Sequence, residues 1–486
     1  MRDVRIVNTV PITTAAGRDA GRLALVQVNY VDSAPEIYQL PLQIAPVEEA
    51  ERFTAGAPTA VIGRLGGSLL FDALYDEAFR VALFEVIVGQ SRISTPGGTL
   101  VGMRGQGMAG GNPETPVSRV LKAEQSNSSV LYGDKYFLKL YRKLDDGVNP
   151  DAELIQFLSE RQKFGPVPTY CGAIERHPAK APAQVLALLV AQVPNVGDAW
   201  AYTLDSLGRF FERVLALKAS HPDVSDPVIF DEVMGGIYPE RVELLARRTG
   251  EMHLALAGDR KDPAFAPEPL TGFALRSLYQ TMRGQTKRCM QLLKKKQHTV
   301  PEKYREEVTV ALKLENEILR RQARLYQGRI SATRTRTHGD YHLGQVLNTE
   351  KDFVITDFEG EPARPLSERK MKRSPMRDVA GILRSFHYAI HTALMQQPVV
   401  RAEDAEFLRP WAEKSVQWSE QTFLNTYYET TKGASFIPED PAARAILLES
   451  HLLEKAVYEV MYELNNRPDW ISIPLQGIRR LVESDS

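Results

Sequence analysis

The segment Thr337-His-Gly-Asp-Tyr-His-Leu-Gly-Gln-Val-Leu347 is followed closely by Phe353-Val-Ile-Thr-Asp-Phe-Glu359. Together they set Asp340, then Gln345 five residues later, then Asp357 at the end of an apolar strand. A carboxylate, an amide oxygen and a second carboxylate in this order suit phosphoryl transfer from a nucleoside triphosphate. One carboxylate accepts the proton of an attacking hydroxyl, and the other two oxygens hold Mg²⁺ against the charge of the triphosphate. Asp340 is the candidate base, and Gln345 and Asp357 are the candidate metal ligands. Glu359 follows where an amide or glycine is commoner. It reaches a second metal or is a solvated acid, and the spacing leaves both open.

A second set lies earlier in the chain. Lys139 sits in the apolar run Tyr136-Phe-Leu-Lys-Leu-Tyr141, where a lone ammonium needs a partner or a phosphate. Glu153, one turn into the next helix, is the expected ion-pair partner. The turn Gln125-Ser-Asn-Ser-Ser129 precedes this strand, where hydroxyls and backbone N–H groups can donate to phosphate oxygens. Near the C-terminus, Lys455, Tyr458, Glu459, Tyr462 and Glu463 fall along one helical stripe. Such a stripe suits a sugar, with rings on its faces and charged groups on its hydroxyls. It suits an ordinary salt-bridged amphipathic helix equally well.

The elements that must position these residues fall into three zones. Alternation predicts strands over Leu23–Val31 and Ile37–Ile44, a helix over Tyr75–Gln90, and glycine-rich turns from Gly97 to Asn112. Strands are expected over Val117–Glu124, Val130–Tyr141, Pro168–Ile174 and Val185–Val193, with a helix capped by Asn149 and opened by Pro150 running to about Gln162. From Ala199 the pattern is helical: Ala199–Ala219, Pro239–Ala257, Leu270–Lys296, Glu302–Gln327, Met376–Met395, Ala405–Tyr428 and Pro441–Asn466. One β-like interruption, Arg336 to Phe358, carries the candidate base. The expected class is α+β, a two-lobed protein kinase-like fold, with a β-rich cap over 1–115, a small lobe over 116–194 and a helical lobe over 195–486.

Composition narrows the alternatives. The 486 residues carry 60 Lys+Arg against 61 Asp+Glu, a net charge of −1, so no global footprint for nucleic acid or anionic membrane exists. Two cysteines, Cys171 and Cys289, make neither a disulfide framework nor a metal motif. The longest strongly apolar run, Val185–Val193, is too short to span a bilayer, so a soluble, cytoplasmic protein is expected. Gly105-Gln-Gly-Met-Ala-Gly110 matches a dinucleotide fingerprint, but the Pro113- and Pro116-containing stretch after it cannot open the required helix. His338 and His342 lie four apart without a zincin glutamate.

Four separated segments carry a family resemblance: the Thr337 segment, Asp357-Phe-Glu-Gly-Glu-Pro362, Arg373-Ser-Pro-Met-Arg-Asp-Val-Ala-Gly381 and Glu454-Lys-Ala-Val-Tyr-Glu-Val-Met-Tyr-Glu463. In this order they resemble the bacterial maltokinases. The resemblance implies an aminoglycoside phosphotransferase-like kinase fold with an N-terminal cap, and ATP- and Mg²⁺-dependent phosphorylation of maltose at its anomeric hydroxyl for α-glucan synthesis. It implies trehalose synthase as a fused or associated partner. It assigns Asp340 as base, Gln345 and Asp357 as metal ligands, and Lys139 with Glu153 as the phosphate-binding pair. Gln125, Ser126, Ser128 and Ser129 become a loop over the phosphates, and the Gln192–Val193 backbone the adenine hinge. His342, Lys455, Tyr458, Glu459 and Tyr462 become sugar-pocket candidates, and Asp378 an anchor for the catalytic loop. The chain departs from the family in starting at Met1-Arg2-Asp3-Val4 without a Trp-Arg-Phe segment, as a short form or a piece of a fusion would. A same-fold kinase for an amino sugar or aminoglycoside, and a non-catalytic nucleotide- or glucan-binding module, are the alternatives.

Overall fold

A computed structural model describes all residues except 109, 111–115, 122–126, 221 and 484–486. The chain divides into two compact units: residues 1–194 with 362–369, and residues 195–361 with 370–486.

The first unit is built on two antiparallel sheets. Strands β1 (Asp3–Thr13), β2 (Asp19–Asn29), β3 (Glu36–Pro46), β4 (Val61–Leu65) and β5 (Ser68–Asp72) pair in the order β1-β2-β3-β5-β4. Helix α1 (Val47–Thr54) packs on that sheet through Ala50, against Phe71 and Leu69. Helix α2 (Glu77–Val88) then leads to β6 (Arg92–Thr95), β7 (Gly98–Arg104), β8 (Ser118–Val120), β9 (Asn127–Tyr132) and β10 (Tyr136–Tyr141). After β11 (Lys143–Leu144) come helix α3 (Pro150–Gln156), β12 (Tyr170–His177) and β13 (Gln184–Ala191). The second sheet runs β6-β7-β12-β13-β10-β9-β8, and β11 pairs back onto β3 of the first. Strand β13 sits mid-sheet and is buried along nearly its whole length, which its continuous apolar run Val185–Val190 requires.

Two expectations change here. The glycine-rich stretch from 97 holds a strand, β7, in the second sheet. The reason is Gly102, where an added Cβ would lie 1.8 Å from the Val86 carbonyl oxygen; glycine there lets α2 cross close over the strand, not turn the chain. Because β6 and β7 pair into that sheet, the strand pairing carries it upstream of the cap boundary drawn at 115. The run Val130–Tyr141, read as one strand, is a hairpin of β9 and β10 turning at residues 133–135.

The second unit is helical: α4 (Ala199–Ala216), α5 (Pro227–Met234), α6 (Tyr238–Leu256), α7 (Gly272–Lys296), α8 (Arg305–Lys313) and α9 (Glu315–Gln327). A short hairpin, β14 (Val346–Asn348) with β15 (Phe353–Ile355), precedes α10 (Met376–Gln396), α11 (Ala405–Thr430), α12 (Pro441–Asn466) and α13 (Ser472–Glu483). Cys289, Met290 and Leu293 of α7, Leu453, Val457 and Val460 of α12, and Leu475 and Ile478 of α13 form a shared core. Its spacing is the i, i+3, i+4 apolar stripe of amphipathic helices. No helix of the described residues is long and apolar enough to cross a membrane.

Candidate active site

In the first unit, Lys139 lies on β10, opposite Ser129 of β9 and Leu188 of β13. Cross-strand partners share a face, so the Ser129 side chain stands beside the ammonium. Asn149 caps α3, its Oδ1 accepting from the Asp151 N–H at 2.8 Å, and Pro150 occupies the first helical position. That cap aims Asp151, 1% exposed, at Lys139: Nζ to Oδ2 is 3.0 Å. The Tyr141 hydroxyl donates to the same oxygen at 3.2 Å. Asp151 is thus an acid paired with Lys139, two positions before the Glu153 expected from the sequence, and the cap places it in the first turn of the helix.

The phosphate-loop expectation is only partly testable, since Gln125 and Ser126 lie outside the described residues. Ser128 and Ser129 are buried strand residues, not loop residues. Ser128 Oγ accepts from Arg142 Nε at 2.8 Å. Ser129 Oγ is buried with no hydrogen-bond partner, an omission that a bound oxygen would repair. At the expected hinge, the Gln192 N–H already donates to the Lys135 carbonyl at 2.8 Å, and its side-chain amide reaches the Val193 carbonyl at 3.4 Å. The Gln192 N–H is thus engaged within its own unit, which bears on one donor of the expected hinge and not on its carbonyl.

In the second unit, the loop carrying Asp340 is tied down at many points. Asp378, in the first turn of α10, accepts from the backbone N–H groups of His338 (2.8 Å) and Gly339 (3.0 Å). His253 of α6 stands 3.1 Å from the same carboxylate, its other ring nitrogen accepting from Tyr427 of α11 at 2.9 Å. Burial pushes the Asp378 carboxyl up, but His253 and the Gly339 amide outweigh it and hold it below the ordinary range. Gly381 lets the loop lie on α10: an added Cβ there would sit 2.4 Å from the Tyr341 carbonyl oxygen. The anchoring expected of Asp378 is present in full.

Gln345 ends a short 3₁₀ turn, and its carbonyl accepts from Thr356 N at 2.9 Å. This bond closes the open end of the β14–β15 hairpin and brings Gln345 beside the residue preceding Asp357. Asp357 takes φ 64°, a left-handed conformation that costs a non-glycine residue about 1–2 kcal/mol. Carboxylate oxygens of Asp357 and Glu359 come within 4.8 Å of each other. Two hard oxygen donors at that spacing fit Mg²⁺. The open question on Glu359 therefore tilts toward the metal.

Asp340 Oδ1 lies 3.4 Å from Lys455 Nζ of α12. Burial alone would lower the Lys455 pKa, but Asp340, Glu361 and Glu459 outweigh it and raise it. Lys455 lies 5.5 Å from the Tyr458 ring centre, and Tyr458 stacks on the 46%-exposed Tyr462 at 6.5 Å. His342 Nδ1 accepts from the Gly344 N–H at 3.1 Å, leaving Nε2 as the donor face of its ring. Glu459 does not join this group: its Oε2 accepts from Arg384 Nε (2.9 Å) and Nη2 (2.6 Å) in a buried pair. The sugar-contact role given to Glu459 is withdrawn; on the stripe it faces inward while its neighbours face the loop. Sequence reasoning missed Arg384 and Asp151, which a buried charge opposite an acid on a helix face would have signalled.

The first unit carries a lysine held by an acid on a small sheet, and the second a loop-borne carboxylate with further carboxylates beside a hairpin; these are groups that a phosphotransferase with an alcohol acceptor uses. The fold is that of solved glucosamine kinases, built of helices and sheets with a β-rich N-terminal region. Residues 1–76 match the maltokinase N-terminal cap domain, so the resemblance to maltokinases holds there. The chain is similar to a glucosamine kinase of Streptacidiphilus jiangxiensis, 24% identical over 367 residues, covering 73% of this chain and 71% of that one. It is also similar to a glucosamine kinase of Mycolicibacterium smegmatis, 22% identical over 370 residues, covering 75% and 79%. A solved glucosamine kinase in complex with glucosamine, ADP and inorganic phosphate aligns with a TM-score of 0.63 at 19% identity, covering 99% of this chain and 94% of that one.

Proposed function

We propose that the protein is an ATP-dependent sugar kinase whose acceptor is maltose, phosphorylated at its anomeric hydroxyl. The observation that carries the reading is the 3.4 Å contact between Asp340 and Lys455 on the firmly anchored loop. A carboxylate on a loop fixed in this way is placed to accept a hydroxyl proton. Lys139, held by Asp151, offsets charge on the nucleotide phosphates, and the Ser129 hydroxyl donates to them. Asp357, with Gln345 and Glu359, would hold Mg²⁺, which would supply further charge neutralisation. Transfer requires the base and the phosphate-binding residues to act on one phosphoryl group, so positioning and electrostatics supply most of the acceleration.

The acceptor groups favour a neutral sugar. With Glu459 engaged by Arg384, the stripe keeps Lys455, Tyr458 and Tyr462: the lysine repels an ammonium, and the two rings stack on a sugar face. The match of residues 1–76 to a maltokinase cap points the same way. The second reading, glucosamine as acceptor, rests on the glucosamine kinase relatives. Turnover of Mg·ATP against maltose, glucosamine, glucose and kanamycin, with products read by ³¹P NMR, separates them. A maltose-dependent anomeric phosphate is the expected product; an ester formed only from glucosamine overturns the neutral-sugar reading. An Asp340→Asn protein is expected to lose about 10²–10⁴-fold in turnover while still binding nucleotide.

A further inference from the structure

The helical unit contains a cavity of about 610 Å³ on the flank formed by α8, α10, α11 and α13. None of the residues proposed for catalysis lines it. Its volume falls within the range of ordinary small-molecule pockets. His387 and His391, one turn apart on α10, both line it, their rings edge to face with centroids 4.4 Å apart. His387 is 3% exposed, and its Nδ1 is buried with no hydrogen-bond partner. The side chain that carries this unpartnered atom is one of those that line the cavity.

The chemistry of that ligand follows from the groups facing the imidazoles. Arg384 of α10, Arg409 of α11 and Arg480 of α13 all press on the pair electrostatically. Two neutral imidazoles spaced i, i+4 would otherwise suit a transition metal. Three guanidinium groups disfavour a dication there. Arg409 is exposed at the mouth and makes no ion pair among the described residues. Arg480, bound to Glu420, lines the cavity and keeps further N–H donors, while Arg384, bound to Glu459, stands behind the wall. The acids on the wall do not reverse this balance at the histidines: Glu483 is held by Arg479 at 2.8 Å, Glu307 by Ser472 at 2.7 Å, and Glu306 and Glu413 are exposed at the rim. Imidazole and guanidinium donors converging on one space are satisfied together only by an oxyanion.

We propose that this cavity is a second ligand site, for a small metabolite bearing a phosphate or carboxylate group. The oxyanion sits against His387 and His391, and Arg409 closes over it from the rim.

The test uses the full chain with ¹⁵N-labelled histidine, following the His387 and His391 ring resonances, assigned through His391→Gln. Titrants are inorganic phosphate, glucose 1-phosphate, citrate and Zn²⁺. Saturable movement of both rings with an anion is expected, weakened about tenfold or more in Arg409→Gln, the loss of one charge-assisted hydrogen bond. Arg409 is exposed, so that variant keeps the fold. A response to the phosphates alone or to citrate alone supports the site and identifies its oxyanion. Rings that stay still with every anion, move equally in Arg409→Gln, or respond only to Zn²⁺ overturn it.

Discussion

Single residues decide the chemistry and also its pH range. His391 of α10 is faced by Arg384 and His387 on its own helix, by Arg409 of α11 and by Arg480 of α13. Burial first, then these cations, hold its pKa down to about 4. An unfolded chain would protonate it near the ordinary imidazole value of about 6.5. The neutral native form is therefore fully favoured above that value and loses its advantage as the pH falls toward 4. The loss from this one group is on the order of 3 kcal/mol. Urea midpoints measured between pH 7 and 4 should fall for the wild type and fall less steeply for His391→Gln. Parallel slopes for the two proteins would show that His391 titrates alike in both states. Asp340, Gln345 and Asp357 were legible in the sequence because their spacing along one loop is local. The partner of Lys139 was not. Which of two acids two residues apart meets a sheet depends on the phase of a helix cap, and only Asp151 is aimed by Asn149.

Elements turn such residues inward or outward. Periodicity marked α12 correctly from Pro441 to Asn466, yet it could not tell which charged residue of the stripe is buried. Glu459 is, against Arg384, because α10 packs along that side of α12. Removing one partner from a buried ion pair costs about 3–5 kcal/mol. Glu459→Gln should accordingly lower the unfolding free energy in denaturant titrations by an amount of that order, with the sugar KM of the folded enzyme little changed. A large rise in KM with unchanged stability would restore Glu459 to the acceptor site. The hairpins and glycine-lined strands were the least legible elements. Gly102 reads as a turn former until α2 is seen lying across it, since close backbone approach leaves no periodic signal. Helix α13 escaped notice because its apolar face serves a core shared with α7 and α12, far away in sequence.

At the scale of the whole chain, the first unit is not one continuous stretch. Residues 362–369 belong to it although they follow the catalytic loop by some twenty positions in the sequence. Within that unit Arg369 binds Asp145 in an ion pair, with the Arg369 side chain 6% exposed, and Leu366 packs where a Cβ on Gly147 would lie. Arg369→Ala should leave the half-buried Asp145 carboxylate short of its cation and lower stability by about 1–3 kcal/mol, readable as a lower denaturant midpoint. No change would mean the segment rides on the unit without bracing it. The same arrangement bears on how the protein is made. Domains generally fold in the order in which they leave the ribosome. Here the earliest unit to be synthesised stays one piece short until residue 369 has emerged, by which point most of the other unit's helices are already outside the exit tunnel. The nascent chain thus carries that unit without its last brace through much of translation, a window in which a chaperone has something to hold.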